Sequence, residues 1–221
     1  LAQALILSND PAGALREGGR ALGLGDRSAE VRYALGEAHL RQDAAAKALE
    51  EAEAALRIRP EMPEALILKS FAYYELKRYR EAVETLETFL KLNPGGEDAE
   101  TWREQIEALR RFERSAAHDK PGDPRTTYSP KEVEQKARIL ARPEPQYSDE
   151  ARNAGAQGTV VLRAVFSSDG TLKNVFIKRA LPYGLTTRAL RAARGIKFEP
   201  ASIGGRPVSQ YIQIEYNFNL F

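Results

Sequence analysis

The chain has 221 residues, 43% apolar and 29% charged, with a formal net charge of +2 and no cysteine. That length accommodates one large domain or two modest ones, each with a real core. Without cysteine there is no disulfide, no thiolate metal site and no cysteine nucleophile, and the redox compartment stays open. Residues 143–221 carry ten Lys and Arg against six Asp and Glu, and the first 142 carry 23 against 25; this asymmetry is too small to argue for a nucleic-acid partner. The opening "LAQALILS" is far short of the ~20 apolar residues that cross a bilayer. Because the chain begins with Leu, not Met, it is expected to be a fragment or a processed product whose anchor or signal lies upstream.

The first elements repeat with a period of 34 residues. Pro60 and Pro94 are so spaced, as are Ala38 and Ala72, Leu40 and Tyr74, Ala48 and Ala82, Leu56 and Leu90, and Ile58 and Leu92. Each copy reads as two amphipathic helices that cannot bury their apolar faces without neighbours. Gly36, Ala38, Ala48, Ala72 and Ala82 let helices approach closely. Subtracting another period sets Leu1 and Ala2 against Leu35 and Gly36, so about two and a half copies are expected. The second copy, with Tyr73, Tyr74, Tyr79, Ala82 and Pro94, is similar to the tetratricopeptide (TPR) consensus. Pro94, Gly95 and Gly96 stop the last copy, and a capping helix follows with Trp102, Ile106, Leu109 and Phe112 on one stripe. The resemblance to TPR solenoids implies a concave face lined by Tyr33, Glu37 and Leu40 and their shifted equivalents Ile67, Phe71 and Tyr74. Two readings of these residues stand: a hydrophobic groove for an unidentified peptide, or packing against neighbouring helices.

Residues 116–137 have linker composition, rich in Pro and small polar residues. Within them Ser129 and Pro130 offer an N-cap and first helical position for a short helix, which Pro143 and Pro145 bring to an end in extended chain. The pattern then changes period. "SDEARNAG" is a short helix capped by Ser148; "GTVVLRAVFSSDG" and "TLKNVFIKRAL" form a hairpin about Asp169–Gly170. "YGLTTRALRAARGI" is a helix, and the chain closes on a long strand with Val208, Gln210, Ile212, Ile214, Tyr216 and Phe218 on one face. The fold class is therefore an α-helical solenoid over 1–115, a linker over 116–137 and a small α+β domain over 138–221.

Over residues 143–221 the spaced set Tyr147 and Ala151, Gly158 to Val160, Asp169–Gly170, Ala189, Ala192 and Ala193, Phe198 with Pro200 and Ala201, and Gly205 with Pro207 and Val208 resembles the C-terminal domain of the TonB family of energy transducers. Ser148 stands where that family usually has Pro, and the long Pro-rich spacer is absent. The resemblance implies capture of the TonB box of an outer-membrane transporter by strand addition beside the terminal strand. Ser209, Tyr211, Gln213, Glu215 and Asn217 would flank the peptide, with further contacts from Glu144, Pro145, Gln146 and Tyr147. It also implies a periplasmic location, an inner-membrane anchor upstream of this chain and coupling to a proton-driven complex there. An exposed edge strand suits main-chain capture, and it suits pairing with a second copy as well. A scaffold that uses this domain for assembly is thus the alternative to energy transduction.

No catalytic constellation or cofactor motif appears. His39 and His118 are far apart in sequence, the Gly pairs do not lead from strand into helix, and Arg188, Arg191, Arg194 and Lys197 read as a solvated basic face. The chain is not expected to be an enzyme.

Overall fold

The computed structural model describes residues 10–95, 99–116 and 126–220. Leu1, Ala2, Gly96 and His118 lie outside the described residues, and with them the expected half-repeat start. The chain forms two compact units divided between Leu109 and Arg110.

The first unit is helical: α1 Pro11–Gly23, α2 Ala29–Arg41, α3 Ala45–Ile58, α4 Pro63–Glu75, α5 Tyr79–Leu92 and the start of α6 Ala99–Ala116. Consecutive helices pack on one another. The 34-residue period recurs in the backbone of the turns. Asp43 and Lys77 both take left-handed φ, near +58° and +60°. The N–H groups of Ala44 and Arg78 reach back to the carbonyls of His39 and Tyr73, each at 2.9 Å, which satisfies helix-end carbonyls that would otherwise be orphaned. Ala38, Ala48, Ala72 and Ala82 are fully buried at the helix crossings. A methyl group on Gly36 would stand 2.7 Å from Leu68 Cδ2, so Leu68 would have to shift to admit one. Trp102 of α6 closes the last repeat, its ring 6.2 Å from that of Phe71 and 5.6 Å from that of Phe89.

The second unit is α+β. Its elements are β1 Thr127–Tyr128, β2 Arg138–Ala141, α7 Asp149–Asn153, β3 Gly158–Phe166, β4 Leu172–Arg179, α8 Leu185–Arg194, β5 Lys197–Glu199, β6 Ala201–Ile203 and β7 Arg206–Phe218. The main sheet has the order β1-β7-β3-β4, with β6 also beside β7; β1 runs parallel to β7 and the other pairs are antiparallel. Helix α8 packs on β3, burying Leu185, Ala189, Leu190 and Ala193, and Phe166 stacks on Phe198 at 3.8 Å. Strand β3 is buried on both faces, by Val160, Leu162 and Ala164 on one and Val161 and Val165 on the other. The second face is screened in part by Phe112, whose ring lies 6.3 Å from those of Phe176 and Tyr211.

The helix expected from Ser129 does not form. The N–H of Ser129 donates to Glu132 Oε2 at 2.7 Å, giving one turn. Gln135 then exchanges main-chain hydrogen bonds with Ser202, at 3.1 and 2.9 Å. That distant partner outcompetes the local helix, whose few residues could not stabilise it alone. Two strands were not legible beforehand: β1, inside the stretch of linker composition, and β2, whose Arg138 makes a bidentate pair with Glu199 of β5.

Candidate functional site

Strand β7 runs beside β3 over Gly158↔Phe218 to Phe166↔Gln210 without a register break. Its other side is paired at Ser209 and Gln210 by β1, and β6 pairs with Arg206 to Val208, ahead of the β3 ladder. From Ile212 to Phe218, among the described residues, no strand lies on that side. The alternation legible in the sequence holds. Ile214, Tyr216 and Phe218 are buried, and Gln213, Glu215 and Asn217 are exposed.

The sequence-predicted flanking residues divide into two groups. Gln213, Glu215 and Asn217 stand along the open stretch; Gln213 Nε2 donates to Glu215 Oε1 at 2.7 Å, and Thr159 Oγ1 donates to Asn217 Oδ1 at 2.8 Å. Ser209 does not face an open edge, because Thr127 pairs with it and its Oγ accepts the Ser168 N–H at 3.2 Å. Nor is the Tyr211 ring a free flank: it is half-buried, stacked on Phe112 and covered by the Arg163 guanidinium 4.4 Å from its centroid.

The second predicted segment runs along the same stretch. Glu144 and Gln146 are exposed and Pro145 is half-buried. Tyr147 anchors the segment: its hydroxyl donates to the Ala156 carbonyl at 2.6 Å and its ring meets Phe218 edge-on at 5.4 Å. Ser148 shows why the usual Pro is dispensable, since its Oγ accepts the Ala151 N–H at 3.1 Å and donates to the Tyr183 carbonyl at 2.6 Å. Two residues at this edge escaped the sequence reading. Gln210 is 1% exposed, and its Oε1 accepts the Ala137 N–H at 2.8 Å; its polar side chain in an apolar phase was the available signal. Arg142 donates to the Glu215 carbonyl and lies 4.6 Å from the centroid of the Tyr216 ring. Burial raises the Tyr216 phenol, and this guanidinium draws it partly back.

On the helical unit, Phe71 and Tyr74 do not line an open groove. They are 2% and 3% exposed, with Phe71 against Trp102 and Tyr74 against Tyr79 at 5.8 Å. The closing helix and the next turn need apolar partners at these positions, so these two residues belong to the packing. Tyr33, Glu37, Leu40 and Ile67 are half-buried. Burial and the Glu37 and Glu64 carboxylates raise the Tyr33 phenol well above its usual range. Among the described residues no group of three or more His, Asp and Glu is placed to hold a metal ion, and no helix is long and apolar enough to cross a membrane.

Comparison with known proteins matches the two units separately. Residues 143–220 match the family model of the Gram-negative bacterial TonB protein C-terminal, and residues 35–107 match a tetratricopeptide repeat model. Comparison with curated proteins gave no match. Among solved structures, the chain is similar to the Sgt2 TPR domain from Aspergillus fumigatus, at 22% identity and TM-score 0.48 over 55% of this chain and 82% of that one. It is also similar to the TonB CTD of Pseudomonas aeruginosa, at 21% identity and TM-score 0.35 over 42% of this chain and 93% of that one. The chain is thus similar to tetratricopeptide repeats over residues 35–107 and to the TonB C-terminal domain over residues 143–220, in that order.

Proposed function

We propose that this protein is a periplasmic TonB-like transducer or adaptor whose β7 edge captures the TonB box of an outer-membrane transporter as an added strand, while the repeats hold a second protein. One observation carries the reading: Ile212 to Phe218 form a regular strand that is paired on one side and, among the described residues, has no strand on the other. The main-chain groups of such an edge bind an extended peptide with little demand on its side chains, which suits one protein serving several transporters. Gln213, Glu215 and Asn217 would border the added strand, and Glu144, Pro145 and Gln146 would contact its outer side. The proton-driven step would belong to an inner-membrane complex.

The test is an NMR titration of the full chain with synthetic TonB-box peptides. The expected result is strong perturbation and slowed exchange of the amides from Gln213 to Asn217. Perturbation confined to helices α1 to α6 would refute strand addition. Concentration-dependent dimerisation that protects the same amides without peptide would favour the scaffold reading.

A further inference from the structure

The open stretch of β7 has a guard. In an antiparallel pair, successive residues turn their N–H and C=O groups alternately toward and away from the partner strand. The Glu215 carbonyl is taken by Arg142, so Glu215 faces away from β3, and the unbroken register puts Gln213 and Asn217 in the same phase. Glu215 is thus the middle one of three outward main-chain positions. A docking strand needs its carbonyl, and Arg142 already holds it.

The guanidinium is well seated. It covers the face of the fully buried Tyr216 ring and has the Glu144 carboxylate 3.9 Å away. Its backbone begins the segment that Tyr147 pins beside Phe218. That segment lies along the edge but makes no ladder with β7 among the described residues. Pro143 and Pro145 explain this, because neither has an N–H to offer the edge. A cation and prolines are the means by which proteins blunt an exposed edge without closing it.

We propose that Arg142 is a displaceable cap on the β7 edge: it occupies the Glu215 carbonyl in the free protein and must let go before any strand can pair there. The inference rests on the strand-addition reading above. The cap protects the edge from indiscriminate pairing and sets a threshold that a partner strand must exceed. Release costs one charge-assisted hydrogen bond and its seat on the ring, while the added strand restores a main-chain bond at the same carbonyl.

The experiment compares the full-length wild type with Arg142→Gln and Arg142→Lys. Affinity for synthetic TonB-box heptapeptides is measured by calorimetry, and self-association without peptide by sedimentation velocity. Arg142→Gln should bind the peptides on the order of tenfold more tightly and self-associate more strongly than wild type. Arg142→Lys, which keeps a donor but loses the planar face, should fall between the two. If the wild type binds peptide and neither variant binds more tightly nor self-associates more, the cap is refuted and strand addition stands. If no protein binds peptide but Arg142→Gln alone self-associates, the cap stands and transporter capture is refuted. If nothing binds and nothing associates, both fall. Should Arg142→Gln fail to fold, as its thermal melt would show, Arg142→Lys decides: several-fold tighter binding or stronger self-association supports the cap, and wild-type behaviour in both assays refutes it.

Discussion

The two units reach stability by opposite routes. In α1 to α5 each helix packs on the helix before or after it, and similar turns recur one period apart. The second unit closes over long sequence separations: Gly158 pairs with Phe218, Thr127 with Ser209 and Arg138 with Glu199. Local stacking makes the first unit approximately a sum of neighbouring interfaces. The second is built on a main sheet in which β3 and β7, distant in sequence, pair along their length, with β2 and β5 forming a separate two-stranded sheet. The consequence is functional as well as mechanical, because a sheet assembled from distant strands has an end where pairing stops, and that is where the open edge lies.

The contrast can be broken most severely in the cores. Phe166→Ala should cost about 3–5 kcal/mol and Leu68→Ala about 2–5 kcal/mol, since both side chains are fully buried. Hydrogen exchange should show protection falling across β3, β4 and β7 together for Phe166→Ala, and confined to α2 to α5 for Leu68→Ala. A purely local loss around Phe166 would abolish the distinction.

A smaller effect sharpens it at two glycines. Gly205 takes φ +72° in the tight turn between β6 and β7, so Gly205→Ala should cost roughly 1–2 kcal/mol through the backbone alone. Gly36→Ala should cost about 1–3 kcal/mol through overpacking against Leu68. Denaturant melts should show the Gly36 cost shrinking when Leu68 is shortened to Val, with no such rescue for Gly205.

The smallest effect is expected from pH. Burial, followed by Lys47, lowers His39 below its ordinary value of 6.5. The folded repeats therefore bind this proton less readily than the unfolded chain. Their stability is complete above about pH 6.5 and declines slightly as pH falls through that value. Melting temperatures between pH 8 and 5.5 should show this decline in the wild type and a flatter profile in His39→Gln.

The helical unit was legible because its information is local and written more than twice: Ala48 and Ala82, or Leu56 and Leu90, corroborate each other. The alternation of β7 was legible for the same reason, a short period within one segment. Phe71 and Tyr74 were ambiguous because an aromatic residue on a helix reads the same whether it meets a ligand or Trp102. Ser129 carried a sound helix-start signal that was overruled by Ser202, some seventy residues away in the chain. The edge was foreseen, but its extent was not, since nothing in Ser209 itself announces that Thr127 pairs with it.

By itself, then, the sequence determined the elements whose signal is periodic: helices at 34-residue spacing, the β3–β4 hairpin and a terminal strand with one apolar face. Only the tertiary structure decided how far the outer side of that strand is filled, by β1 at Ser209 and Gln210, and which stretch is left to Arg142 beyond it. Periodicity fixes which face of a strand is buried because side chains alternate. Edge occupancy depends on main-chain groups that every residue carries alike, so it becomes visible only when distant strands are brought together.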